Sequence, residues 1–290
     1  MKPRAVILGG NGQLGNYLSK NLERSFEVFS FSKNEIDITV SEVLEQKVKD
    51  IRPEYLINCA AYTKVGLAEI EHELANAINH IAVKNLASIC SKNNTHLLHF
   101  STDYVFPGNK NQPYIEEDPT QPIGVYGLSK LKGEISLKNS DCKFTILRIS
   151  GVYSERGDSF LGKIVSQLKI SNETIKVVND QFTMPTSVKF ISDRIIDLSN
   201  ANAFANYEGE VIHIAPDGEI SWYDFAAEIK RAYEKKTGFK TQEIEPISSD
   251  ELSLIPPRPK NSVLSNEKLK KILKKKFFPS CIEVLRQYYS

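Results

Sequence analysis

An apolar run, Ala5-Val6-Ile7-Leu8, passes straight into Gly9-Gly10-Asn11-Gly12-Gln13-Leu14-Gly15, after which Leu14, Leu18 and Leu22 recur every four residues. That order reads as a buried strand, a tight turn and a helix with one apolar face. The glycines satisfy both G-x-G-x-x-G and G-x-x-G-x-x-G. Glycine permits the turn and lets backbone N–H groups approach a pyrophosphate at the positive end of the helix. An ordinary glycine-rich turn is the bland alternative, but a strand before it and a helix after it favour a dinucleotide loop.

The following segments extend the same architecture. Glu27–Phe31 reads as a second strand, and Thr39 with Glu42 is expected to form a capping box ahead of a helix carrying Val43, Leu44, Val48 and Ile51, which Pro53 ends. Tyr55–Ala61, Leu97–Ser101 and Phe144–Ile149 read as further buried strands, with a long helix through Ile78, Ala82 and Leu86 between the first two. Alternating strands and helices predict crossover units on a parallel sheet. Residues 107–125, with four prolines and two glycines, are a loop that delivers the chain to a helix at Tyr126. After about residue 155 the pattern loosens into a smaller α+β lobe, with strands at Ile175–Val178 and Val211–Ala215 and a helix capped by Ser221. The expected division is 1–155 for the dinucleotide-binding domain and 156–290 mainly for a substrate lobe, with some segments returning to the first. Leu269, Ile272 and Leu273 line a last helix whose lysines, Lys268 to Lys276, read as a solvated face.

With 37 basic and 36 acidic residues the formal charge is +1, so no overall field favours nucleic acid or an acidic membrane. The opening apolar run is too short for a signal-peptide core, and no stretch is long enough to span a bilayer. Cys59, Cys90, Cys142 and Cys281 lack C-x-x-C spacing and read as free thiols in a reducing cytoplasm. The five histidines show no metal spacing, and no G-x-S-x-G elbow is present, so no metal and no serine-hydrolase chemistry is expected.

Chemistry is concentrated between residues 101 and 130. Ser101-Thr102-Asp103 closes an apolar run, and Tyr126 precedes Lys130 by four residues, which places phenol and ammonium on one helix face. A nearby cation favours the phenolate and lowers a tyrosine pKa from about 10, so such a tyrosine can exchange a proton with a carbonyl oxygen. The bare pattern Y-x-x-x-K is common on helix surfaces, so the flanking residues decide. Coenzyme choice rests on the end of the second strand. A carboxylate there would bind the ribose 2′-hydroxyl of NAD, whereas a small residue with a cation would admit the phosphate of NADP. Ser30, Phe31, Ser32 and Lys33 stand there and favour NADPH, with NADH possible, although Lys33 could equally be a plain loop lysine.

Six ordered blocks then agree: Gly9-Gly10-Asn11-Gly12-Gln13-Leu14-Gly15, Asn58-Cys59-Ala60-Ala61-Tyr62-Thr63, Ser101-Thr102-Asp103-Tyr104-Val105-Phe106, Tyr126-Gly127-Leu128-Ser129-Lys130, Asn179-Asp180-Gln181 with Pro185-Thr186, and Arg258-Pro259. Together they resemble the dTDP-4-dehydrorhamnose reductase family of extended short-chain dehydrogenases/reductases, over nearly the whole chain. The resemblance implies a Rossmann-like doubly wound parallel sheet with a smaller C-terminal lobe for the sugar nucleotide. By the same resemblance Tyr126 is the proton donor, Lys130 holds the nicotinamide ribose and lowers the tyrosine pKa, and Thr102 hydrogen-bonds the substrate. It assigns Gly9, Gly12, Gln13, Leu14, Gly15, Ser30, Ser32, Lys33, Asp37, Ile38, Ala60, Ala61 and Tyr62 to the coenzyme, the Ala60–Tyr62 stretch following a fourth strand. It assigns Thr63, Asp103, Gly151, Gln181 and Arg258 to the substrate, the last two near the diphosphate. Without the resemblance, Thr102 reads as a strand-end cap, Ala60 and Ala61 as close packing, and Arg258 as a loop anchor.

Two positions depart from the family pattern. Gly66 stands where A-A-Y-T-x-V-D-x-A-E has aspartate, and Gly151 stands where S-W-V-Y has tryptophan. The second removes an aromatic wall beside the sugar and leaves either space or a different lining, so the sugar stays open. The expected activity is reduction of the 4-keto group of a nucleotide-activated 6-deoxy sugar, dTDP-4-dehydro-L-rhamnose first, for cell-surface polysaccharide. The alternatives are another nucleotide sugar, such as an acetamido 4-keto sugar, and a non-catalytic NADP-binding regulator like the β subunit of methionine adenosyltransferase. A cytoplasmic protein and a possible homodimer complete the expectation.

Overall fold

A computed structural model describes residues 2–155, 159–170, 173–252 and 255–289. Its centre is a six-stranded parallel sheet. β1 (Arg4–Leu8), β2 (Glu27–Phe31), β3 (Tyr55–Asn58), β4 (His96–Thr102) and β5 (Phe144–Ile149) take the spatial order β2-β1-β3-β4-β5, and the strand Val211–His213 closes the far edge beside β5. The order reverses between β1 and β3, where the carboxyl ends of the strands open a crevice. Val211–His213 therefore belongs to the large sheet, not to the smaller lobe where the sequence pattern put it. Its registry with Ile146–Arg148 buries Val211 and Ile212.

Helices cover both faces. α1 (Gln13–Asn21) lays Leu14 and Leu18 under the sheet, and the helix Val188–Asn200 packs beside it through Val188, Ile191 and Ile195. The other face is covered by α2 (Ser41–Ile51) and by a continuous run in which α3 (His72–Asn76) and α4 (Ala82–Lys92) are joined through a π turn at Ala77–Ile81. The expected capping box at α2 does not form. Val40 is the N-cap, and the Thr39 hydroxyl and N–H both donate to Asp37 Oδ1, a local Asx arrangement that competes with capping. α2 stops at Arg52, a left-handed residue, just before Pro53.

The C-terminal part adds two-stranded pairings, Ile175–Val178 with Ile244–Ile247 among them, over a core of Tyr153, Leu161, Ile164 and Phe225. Ser221 caps the helix Trp222–Thr237, accepting from the Asp224 N–H as its sequence position suggests. The lysine-rich helix Glu267–Leu273 is less solvated than its charge implies. Lys268 pairs with Glu210 at 2.8 Å and Lys270 with Asp217 at 3.0 Å, tying it to the large sheet's edge.

Candidate active site

The glycine loop lies at the reversal point. Gly9 has φ of +77°, and a Cβ there would sit 2.8 Å from the Ala60 N atom, so only glycine lets the loop close on the end of β3. A Cβ on Gly15 would run into the Gly9 carbonyl, which brings the start of α1 against the turn. Ala60 and Ala61 follow β3, the third strand of the chain, not a fourth. Gln13 has a buried Nε2 with no hydrogen-bond partner. At the first residue of α1, an unpartnered donor fits an acceptor-rich group, as a dinucleotide phosphate is.

The end of β2 differs from its expected carboxylate-free character. Glu35 turns back, and its Oε2 accepts from the Ser32 N–H at 2.8 Å and the Ser32 hydroxyl at 2.7 Å. Those bonds hold its carboxyl below the usual range. Ser30 lies against Gly10, Ser32 and Ile38 are buried, and Lys33 is exposed, 3.9 Å from Asp37. Tyr62 is tied down instead of free: its hydroxyl donates to Glu71 Oε2 at 2.7 Å, and its backbone is bracketed by the Asn79 amide. Thr63 is exposed.

α5 (Val125–Lys138) starts where Glu69 Oε1 accepts from the Val125 N–H at 2.7 Å. Tyr126 therefore enters on its first turn and Lys130 on its second. Thr102 ends β4, donates to Asp103 Oδ1 at 2.8 Å and accepts from the Tyr104 N–H, and its hydroxyl acts on the Tyr126 phenol to favour the ionised form. Asp103, 4% exposed, also accepts from Ser150 Oγ at 2.8 Å. Burial raises its carboxyl to about 6, against hydroxyl hydrogen bonds from Ser150, Thr102 and Ser262 that lower it.

The expected lowering of Tyr126 by Lys130 is not what the structure has. Desolvation dominates and pushes the phenol up to about 12, with the Thr102 hydroxyl opposing it. Lys130 is turned inward, donating from Nζ to the Phe100 carbonyl at 2.5 Å.

The second half of the chain meets this group. Gly151 has φ of +52°, and a Cβ there would lie 3.1 Å from Trp222 Cη2 and 3.2 Å from Pro185 Cα. The volume opened by glycine is thus closed by the chain's single tryptophan, whose backbone N–H donates to the Gln181 carbonyl at 3.2 Å. Arg258 has a buried, unpartnered Nη1, and its charge acts on Tyr104, whose ring meets Tyr126 edge-on at 5.8 Å. An unpartnered buried guanidinium nitrogen suits a phosphate. Gly66 has open space where a side chain would project, its nearest neighbour being the Ile255 carbonyl at 3.7 Å.

Thr102, Asp103, Tyr126, Gly151 and Arg258 are thereby linked around one crevice. Tyr104, Ser150, Glu69 and Trp222 also shape it and are not singled out as site residues by the sequence, since their roles come from contacts with residues far along the chain; Tyr104, inside the Ser101–Phe106 block, and Ser150, beside Gly151, carried a local signal.

A glycine loop at the reversal point of a doubly wound sheet, facing a tyrosine–lysine helix turn and a strand-end threonine, defines a nicotinamide-dependent reductase of the short-chain type. A family model described as the RmlD substrate binding domain matches residues 3–286, and the chain belongs to that family, the dTDP-4-dehydrorhamnose reductases. The dTDP-4-dehydrorhamnose reductase of Burkholderia thailandensis is 34% identical over 274 residues, covering 92% of each chain. That of Escherichia coli K12 is 32% identical, covering 91% of this chain and 89% of the other. A crystal structure of the Bacillus anthracis dTDP-4-dehydrorhamnose reductase in complex with NADP superposes with a TM-score of 0.91 at 33% identity, covering 100% of this chain and 99% of that one. UDP-glucose 4-epimerase of Thermus thermophilus, at 20% identity and a TM-score of 0.77, shares the fold.

Proposed function

We propose that this protein reduces the 4-keto group of dTDP-4-dehydro-L-rhamnose to give dTDP-L-rhamnose, using NADPH and accepting NADH, in the cytoplasm and for cell-surface polysaccharide. The observation that carries the reading is Tyr126 with Lys130 one turn on along α5, the phenol acted on by the Thr102 hydroxyl at the end of β4, in a sheet whose reversal point holds the glycine loop. Relatives named dTDP-4-dehydrorhamnose reductase cover nine-tenths of the chain, and one of them is solved with NADP. Among the described residues no helix is long and apolar enough to cross a membrane.

When bound, the nicotinamide supplies the hydride. All else falls to this chain. With its phenol near 12, Tyr126 holds its proton at neutral pH and delivers it to the C4 oxygen as charge builds there. Thr102 orients that oxygen and then stabilises the phenolate left behind. Lys130 takes the nicotinamide ribose, Gln13 and the Gly9–Gly15 backbone take the pyrophosphate, and Ser30, Ser32 and Lys33 face the adenosine end with Asp37 and Ile38 behind them. Gln181 and Arg258 take the sugar's diphosphate, with Thr63, Asp103 and Gly151 around the sugar. A homodimer is supported by apolar side chains left exposed on two neighbouring elements, Ile81 at the end of the π turn and Leu128 and Ile135 on α5.

The test is NADPH oxidation by purified protein with dTDP-4-dehydro-L-rhamnose and with UDP-, GDP- and acetamido 4-keto sugars alongside. Turnover of the first above the others is expected. Tight NADPH binding without turnover of any of them would return the regulatory reading.

A further inference from the structure

Behind the crevice a line of buried polar groups runs from Lys130 to two residues that the proposed reduction does not itself use. Lys130 is 3% exposed, and its Nζ lies 3.4 Å from His99 Nε2 as well as bonding the Phe100 carbonyl. His99, on β4, is fully buried, and its Nδ1 is 3.2 Å from Asn58 Nδ2 at the end of β3. Asn58 Oδ1 accepts from the Ala60 N–H at 3.1 Å.

Donor and acceptor roles can be assigned along this line from its fixed end. A backbone N–H can only donate, so it sets the Asn58 carboxamide with oxygen toward Ala60 and NH2 toward His99. His99 Nδ1 is then an acceptor. Burial keeps the imidazole neutral, its pKa held well below the usual value, and a neutral ring with an acceptor at Nδ1 carries its hydrogen on Nε2. That N–H faces Lys130. An ammonium has three hydrogens and no acceptor, so it would meet the imidazole hydrogen head-on, whereas a neutral amine accepts it and still donates to Phe100.

We propose that Asn58 and His99 are positioning residues that fix the imidazole tautomer so as to oppose the charged form of Lys130 before coenzyme binds. The lysine thus starts in a state of weakened charge, and binding of a dinucleotide, whose ribose hydroxyls offer it acceptors, is coupled to proton uptake at Nζ above neutral pH. The other groups facing Lys130 do not reverse this. Glu134, one turn further on α5, favours the ammonium but is itself neutralised by Arg148 at 2.7 Å and bonded by Ser101, and Cys59, just past β3, is held as the thiol by burial. Desolvation lowers Lys130 to about 8, in the same direction.

This rests on the reductase reading for the lysine's purpose but not for its geometry. Two measurements on the full-length, coenzyme-free protein test it: 15N shifts of His99, and the 13Cε titration of Lys130, assigned with Lys130→Gln. The expected result is hydrogen on Nε2 with Nδ1 bare, and a lysine that titrates at least one pH unit below the ~10.4 of an unperturbed lysine side chain. Asn58→Asp, nearly isosteric, should move the hydrogen to Nδ1 and raise the Lys130 titration by about one unit or more. A wild-type ring protonated at Nδ1, or a Lys130 that titrates with the bulk lysines, overturns the proposal even if Asn58→Asp does not fold. So does an Asn58→Asp protein whose tautomer is unchanged. Failure of NADPH to bind while the tautomer holds would instead count against the reductase reading.

Discussion

Tyr126 and Asp103 are neighbours through Thr102, and burial acts on both in the same direction, making each hold its proton more tightly. For Tyr126 the consequence is catalytic. Tyr126→Phe removes a proton donor and little volume, so kcat should fall about a hundredfold or more while the NADPH Kd changes less than about threefold, read by steady-state kinetics and by fluorescence titration. For Asp103 the consequence is thermodynamic. Its carboxyl titrates near 6 when folded and near ~3.9 when unfolded, so the folded state binds the extra proton between those values and stability falls as pH rises through them. A shift of that size amounts to about 3 kcal/mol. Asp103→Asn, which cannot ionise, should therefore gain relative to wild type between pH 4 and 7 by up to about that amount, read from urea denaturation at a series of pH values. A difference that does not change with pH would place the cost elsewhere. Both residues were visible in the Ser101–Phe106 and Tyr126–Lys130 patterns. Their protonation was not, because desolvation depends on what other segments cover them.

At the scale of elements, the site depends on two packings that no local pattern announces. The π turn Ala77–Ile81 points Asn79 inward, where its amide accepts from the Tyr62 N–H and donates to the Tyr62 carbonyl and Ser129 Oγ, joining the end of β3 to α5. Asn79→Ala leaves those buried groups unpaired and should cost about 2–4 kcal/mol, with a several-fold rise in coenzyme KM, read by thermal unfolding and kinetics. The second packing is Trp222 over Gly151. With the indole in place and φ positive, a tryptophan at 151 has neither room nor an easy backbone conformation. Gly151→Trp should therefore lower kcat/KM about tenfold or more on a compact deoxysugar and on an acetamido sugar alike. A specificity shift that spares the compact sugar would show that the slot is open after all. The departure at residue 151 was legible in sequence, but what fills it comes from a helix some 70 positions later.

For the whole molecule, the large sheet cannot be completed by the first half of the chain. Leu14 and Leu18 on α1 share a core with Val188, Ile191 and Ile195 of the helix Val188–Asn200, and the edge of β5 is paired by Val211–His213. Expressed alone, residues 1–155 should expose that apolar face and an unpaired strand edge, giving a protein without a cooperative thermal transition and prone to associate. Sharp unfolding of that fragment, measured by circular dichroism, would show that the first half carries a sufficient core. The same interleaving brings Arg258 near Tyr104 and thus to Tyr126. Residues from both halves build the crevice, and they do so because the later segments return to the first layer.

What the chain determined by itself is local and periodic: the glycine turn after β1, the apolar alternation of strands and helices, the helix placing Tyr126 and Lys130 one turn apart, and the Ser221 cap. Each follows from backbone geometry and side-chain spacing within a few residues. Tertiary structure alone decided that Val211–His213 joins the large sheet, that Glu35 occupies the Ser32 donors, that Trp222 closes the space at Gly151, and that Lys130 faces His99 instead of lowering Tyr126. Those outcomes are set by desolvation and by hydrogen bonds between residues far apart in sequence, and such terms acquire a value only once the fold has fixed which groups share a water-free volume.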